Sequence, residues 1–199
     1  DAVAITDEVY EHLCHDGREH VRLATLDGMA DRTVTCSSLG KTFSLTGWKI
    51  GWAVARGELS RAVRSGHQFL TFCASAPLQR GAARALSDPR RHEYSQELGA
   101  HFRAMRDRLS GALAEVGFEV LRSEGTYFVM ADHRPVSARL GIGDDVGFCR
   151  HLIEEVGVAA IPPSAFYATE GGGRDLVRFA YCKTQGVMER GIERLRALG

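Results

Sequence analysis

Short apolar runs that stop at a polar turn, separated by stretches of helical periodicity, constrain this chain to alternating strands and helices. Ala2 to Ile5 is one such run, closed by Thr6-Asp7, and Thr33 to Cys36 is a second. A continuous run, rather than an alternating one, suits a strand covered on both faces. A third strand is expected over Gly47 to Ala55, interrupted by Gly51. Helical patterns follow at Glu58 to Thr71 and at Pro77 to Leu86, where a proline in the first turn lacks only an N–H that would have no partner anyway. Asp88-Pro89-Arg90-Arg91 reads as a linker, and beyond it Leu98, Phe102, Met105, Leu109 and Leu113 recur at steps of three and four. That spacing predicts an amphipathic helix from Glu93 to Val116. Strands near Phe118 to Leu121, Tyr127 to Met130, Val158 to Ile161 and Leu176 to Ala180, with helices over Val146 to Val156 and Gln185 to Leu198, complete an α/β pattern. Glu170-Gly171-Gly172-Gly173-Arg174 is expected to be a mobile loop. The linker divides the chain into residues 1–90 and 91–199.

Charge excludes some partners. Lys and Arg together number 25, as do Asp and Glu, so no basic footprint for nucleic acid or an anionic membrane is present. Apolar stretches such as Phe69 to Leu78 are far too short to span a bilayer. The five cysteines (Cys14, Cys36, Cys73, Cys149, Cys182) are scattered and odd in number. That argues against a disulfide framework and for a reducing, cytoplasmic setting. His12, Cys14 and His15 lack a second ligand pair at finger spacing, so they are expected to be exposed loop residues and no metal is expected.

Chemistry concentrates in residues 37–52, where Ser38 precedes Lys41 by three positions and Lys49 follows it by eight. A lysine doing covalent work needs a desolvated or cationic setting that lowers its pKa. The Ser/Gly/Thr loop around Lys41 leaves its amine unobstructed and exposes backbone N–H groups that suit a phosphate. On spacing alone a surface lysine in a polar turn is the plainer reading. Asp7-Glu8 reads in the same way as either a strand-end turn or a carboxylate at the strand edge where open α/β sheets place ligands.

The segment Ser38-Leu39-Gly40-Lys41-Thr42-Phe43-Ser44-Leu45-Thr46-Gly47-Trp48-Lys49-Ile50-Gly51-Trp52 resembles the pyridoxal-phosphate lysine motif of class I/II (fold type I) aminotransferases, in their kynurenine, glutamine or methionine aminotransferase form. The similarity continues through Asp7-Glu8-Val9-Tyr10, His67 to Phe72, Gly125 to Phe128, Ala160-Ile161-Pro162 and Val177-Arg178-Phe179, and so covers essentially the whole chain. The resemblance implies the later strands of the large-domain sheet followed by the small C-terminal α/β domain. An opening at Asp1 within a strand-like run implies the C-terminal part of a longer protein. Pyridoxal 5'-phosphate would form a Schiff base with Lys41, which would also be the general base. Asp7 would be the partner of the pyridine nitrogen and Tyr10 that of the ring oxygen, while Ser38 and Lys49 would contact the phosphate. Arg178 would clamp the substrate α-carboxylate, and Phe72 would line a pocket for a large or apolar side chain.

The implied reaction is transamination between an amino acid (aromatic, methionine, glutamine or kynurenine-like) and a 2-oxo acid, in a homodimer. Turnover by this stretch alone is expected to be weak or absent, because the family's remaining phosphate, stacking and ring-oxygen contacts lie upstream of it. A cysteine-S-conjugate β-lyase on the same fold and an aminotransferase-like regulatory module are the alternatives.

Overall fold

The structure, a computed structural model, describes residues 2–199; Asp1, the first residue of the part expected to span 1–90, lies outside them. Two compact units divide after Gly99. The helix Arg91–Val116 runs through that division.

In the first unit β1 (Ala4–Asp7), β2 (Thr33–Ser38) and β3 (Gly51–Val54) form a sheet in that order. β1 and β2 are parallel with Asp7 opposite Cys36, and β3 returns antiparallel with Gly51 opposite Ser38. A side chain at Gly51 would meet the Ser37 carbonyl oxygen at 2.9 Å, so the close pairing of β2 and β3 needs glycine there. The third strand is shorter than expected. Thr46–Trp48 forms a 3-10 turn and Lys49 takes a left-handed φ of 54°, which ends that turn before pairing can begin. β1 also differs from expectation: it is not covered on both faces, since its residues alternate in burial and Ile5 is 75% exposed.

A four-residue helix, α1 (Leu39–Thr42), follows β2 directly, and α2 (Gly57–Leu70) and α3 (Ala76–Ser87) come after β3. The core of this unit is built from Leu39, Ile50 and Ala82, with Phe43, Leu45, Trp48, Trp52 and Leu78 packed around them. A Cβ at Gly81 would lie 2.8 Å from the Trp48 ring, so α3 approaches the indole only because Gly81 has none. By contrast α2 has an apolar face but no buried residue, and it ends in exposed Phe69 and Leu70.

The second unit holds most of α4 (Arg91–Val116) and an antiparallel sheet ordered β4 (Glu119–Val120), β5 (Phe128–Asp132), β6 (Leu176–Ala180). The expected periodicity is realised: Phe102, Met105, Leu109 and Leu113 are all buried. Phe118 meets Phe148 and Phe179 edge to face, the preferred geometry of ring quadrupoles. Buried Tyr181 donates its hydroxyl to the Thr126 carbonyl at 2.9 Å. Around this core lie α5 (Arg134–Leu140), α6 (Asp145–His151) and α7 (Gln185–Leu195).

Three expectations need correction here. Val158 to Ile161 is not a strand; only Ile161 bridges to Arg178. Left-handed Gly157 precedes the segment and Pro162-Pro163, which have no N–H, follow it, so the ladder cannot extend. α5 was not anticipated, because seven residues opened by Arg-Pro carry too little periodicity. The glycine-rich loop is not untethered: the Arg174 carbonyl accepts from His133 Nε2 at 2.9 Å. Cβ atoms at Gly172 and Gly173 would meet the Tyr167 ring at 2.7 Å, so these glycines serve a close approach.

Candidate active site

The end of β2 sets the position of Lys41. Ser38 stays extended at φ −154° and its Oγ accepts the Gly40 N–H at 3.2 Å, capping α1. Thr42 Oγ1 donates back to the Ser38 carbonyl at 3.3 Å. Leu39 is fully buried in the core and its N–H donates to the Ile50 carbonyl at 3.1 Å, anchoring the turn from beneath. Lys41 therefore rides a helical turn rather than the open loop expected, because the serine cap and the buried leucine wind those four residues. Its side chain is half-buried, and Nζ lies 6.0 Å from the centroid of the Tyr10 ring.

Tyr10 comes from tight turns beyond β1, in which Glu11 N–H donates to the Glu8 carbonyl at 3.0 Å and Leu13 N–H to the Tyr10 carbonyl at 2.8 Å. Asp7 ends β1, with an exposed carboxylate whose Oδ1 accepts the Val9 N–H at 3.2 Å. Asp7 thus closes a turn at the end of β1, and its carboxylate is exposed there. Lys49 is exposed at the end of the 3-10 turn, and that turn packs on α1, with Thr46 Cα 3.6 Å from where a Gly40 Cβ would stand. Phe72 lies just beyond α2 with φ 68° and is 77% exposed. It shares a shallow groove with Trp52, His67 and Gln68 that none of Asp7, Tyr10, Ser38 or Lys41 lines.

In the second unit, the Arg178 guanidinium lies between two rings, 4.3 Å from the Phe128 centroid and 4.7 Å from that of Phe166. Its Nε is buried with no hydrogen-bond partner among the described residues. A guanidinium held over two aromatic rings, with a buried N–H left without a partner among the described residues, suits a carboxylate supplied from outside. The sequence did not reveal this sandwich, since Phe128 and Phe166 are 50 and 12 positions from Arg178.

The sequence placed Glu8 with Asp7 at the strand end, but not its burial or its partners. It is 5% exposed, and its carboxylate accepts from Thr6 Oγ1 at 3.0 Å, His20 Nε2 at 2.9 Å and the Leu23 N–H at 3.4 Å. Burial alone would raise its pKa, but the bonds from His20, Thr6 and the Leu23 amide outweigh that and hold it below the usual carboxylate value. Glu11 accepts from Arg22 at 2.7 and 3.1 Å and from Ser37 Oγ at 3.4 Å. Elsewhere His12 is exposed, but Cys14 is half-buried and His15 fully buried rather than exposed, in a stretch that also buries Leu13. Among the described residues no group of three or more His, Cys, Asp or Glu side chains could hold a metal.

An amine, an exposed carboxylate, a phenol and a hydroxyl that keeps its own proton to donate form a donor set that fits pyridoxal 5'-phosphate. The aminotransferase class I and II family model matches residues 1–195. A probable N-succinyldiaminopimelate aminotransferase of Mycobacterium tuberculosis is 46% identical over 98% of this chain and 50% of its own length. The methionine aminotransferase of Escherichia coli is 40% identical over 98% of this chain and 48% of its own. The solved structure of the Mycobacterium tuberculosis N-succinyldiaminopimelate aminotransferase superposes with a TM-score of 0.92 at 47% identity, covering 99% of this chain and 50% of that one. The chain spans about half the length of the curated relatives it matches.

Proposed function

The chain belongs to the class I and II aminotransferases, and from that premise we propose that it supplies the lysine half of a pyridoxal-phosphate site for transamination between an amino acid and a 2-oxo acid. The observation that carries this reading is Lys41 on its serine-capped turn, its amine beside Tyr10. Pyridoxal phosphate, when bound, supplies an electron sink for the carbanion left when a Cα proton departs. Lys41 would be the amine that holds the cofactor and, when free, the base that takes up and returns the Cα proton. The Asp7 carboxylate holds a proton on the ring nitrogen through a charge-assisted hydrogen bond. The Tyr10 hydroxyl would donate to the ring oxygen, and the Ser38 hydroxyl and Lys49 ammonium would hold the phosphate. Arg178 takes the substrate α-carboxylate on the edge of its guanidinium.

For the amino donor we favour methionine, an aromatic residue, glutamine or kynurenine; the similarity to an N-succinyldiaminopimelate aminotransferase adds that compound to the candidates. Phe72 would line the donor pocket together with a second copy, in a homodimer. The exposed apolar end of α2 (Phe69, Leu70) supports such a covering partner. Five cysteines without a disulfide support a reducing, cytoplasmic setting. No helix of the described residues is long and apolar enough to cross a membrane.

The lysines of the chain are Lys41, Lys49 and Lys183, so covalent capture can be mapped without ambiguity. Titration with pyridoxal 5'-phosphate, borohydride reduction and peptide mass mapping should place the adduct on Lys41 and lose it in Lys41→Ala. Equal labelling of all three lysines would count against the site. In the whole protein, turnover of aspartate with none of methionine or phenylalanine would exclude the proposed donor class.

A further inference from the structure

Parallel strands are usually joined through a helix, yet the connection from β1 to β2, residues 8–32, contains no α-helix and only a 3-10 turn at Leu23–Thr25. Side-chain carboxylates do the work that helix packing would otherwise do. Glu8 ties two points of the connection and the end of β1 to one buried group: His20 in its middle, the Leu23 amide at the 3-10 turn, and Thr6 of β1. The Glu8 N–H donates to the Cys36 carbonyl at 2.8 Å, so the same residue is pinned to β2. Three residues later Glu11 repeats the device with Arg22 and Ser37. Tyr10 lies between these two pinned carboxylates, and its ring is the one beside the Lys41 amine.

We propose that Glu8, clasped by His20, is a positioning residue that holds the Asp7-to-Tyr10 turn against Lys41. The proposal rests on the reading of Lys41 as the cofactor lysine. A carboxylate that accepts bonds but cannot donate needs every donor around it, and removing one leaves a buried charge short of compensation. The cost falls on the turn, because the bond from His20, at 2.9 Å, is the shorter of the two that draw the far side of the connection onto residue 8, the other being that of the Leu23 amide at 3.4 Å.

The test uses the 199-residue chain with pyridoxal 5'-phosphate, reading the concentration that gives half-maximal borohydride-trapped adduct on Lys41. His20→Leu should raise that concentration about tenfold, the loss expected for a hydrogen bond to a charged group. His20→Gln, whose amide N–H can replace the imidazole donor, should restore it to within about threefold. Tryptophan emission checks that both variants stay folded. His20→Leu labelling at the parental concentration, or a failure of His20→Gln to rescue, would overturn the proposal. If the parent labels Lys41 no better than Lys49 and Lys183, the cofactor reading has failed instead. The clasp is then decided by amide hydrogen exchange at Glu11 and Leu13, whose N–H groups close the turns around Tyr10. Exchange there should accelerate in His20→Leu and not in His20→Gln, and unchanged exchange would rule the clasp out.

Discussion

Leu39→Ala tests whether the lysine turn is held from beneath. Leu39 is fully buried, opens α1, and shares its core with Ile50 and Ala82. Its backbone remains bonded to Ile50, Phe43 and Leu45 after substitution, so the loss is one of packing. Leu→Ala at a buried site costs about 3 to 5 kcal/mol, from lost transfer energy plus the cavity left behind. The lower figure applies here, because the neighbouring Phe43, Leu45, Trp48 and Trp52 are only partly buried and can settle into the space. The chain has two tryptophans, Trp48 and Trp52, and both pack on this cluster, so their emission during urea unfolding reports the first unit. With a slope of about 1.5 kcal/mol per molar urea, a loss of about 3 kcal/mol lowers the midpoint by about 2 M at unchanged slope. Labelling of Lys41 should fall with it. A shift below about 0.5 M, worth under about 1 kcal/mol at that slope, would refute the reasoning. So would an equal shift from Leu121→Ala, a side chain 41% exposed in the other unit.

Acid should loosen the first unit through Glu8. A depressed carboxylate contributes stability that is present above its usual value of 4.5 and is lost as pH falls through its lower folded value. Glu8→Gln should therefore flatten the fall in urea midpoint below pH 4.5, and an unchanged slope there would exclude the assignment. Gly81→Ala should destabilise by about 1 to 3 kcal/mol, since its methyl would meet Trp48 at 2.8 Å. Gly66→Ala on exposed α2, where nothing lies within 4 Å, should stabilise by about 0.5 to 1 kcal/mol; urea midpoints that reverse this order would contradict the packing. In the whole protein Arg178→Lys keeps the charge but loses the planar guanidinium held over Phe128 and Phe166, so KM for the amino donor should rise about tenfold or more. An unchanged KM would remove Arg178 from substrate binding.

Periodicity served well where an element is long and packs within its own unit. α4 repeats its apolar residues over 26 positions and buries those from Phe102 to Leu113, so its length and inward face were both legible. It served less well for α2 and β1. A pattern records which face is apolar, not whether the chain holds anything to set against it, and Phe69, Leu70 and Ile5 stay exposed. The isolated helices of four and seven residues, α1 and α5, left no helical period to read, which is why α1 was taken for a loop and α5 was missed.

The candidate site divides along a related line. Lys41, Ser38 and Asp7 were legible because each sits at a strand end or in a motif whose neighbours in sequence are its neighbours in space. His20 was not, because it reaches Glu8 across twelve residues of irregular chain. Phe166 was not, because it meets Arg178 across the turn that follows Pro162. Groups that meet a cofactor must share an edge, and an edge is written in short motifs. The groups that hold them in place need only a loop long enough to return, and loop length leaves no spacing for a sequence to display.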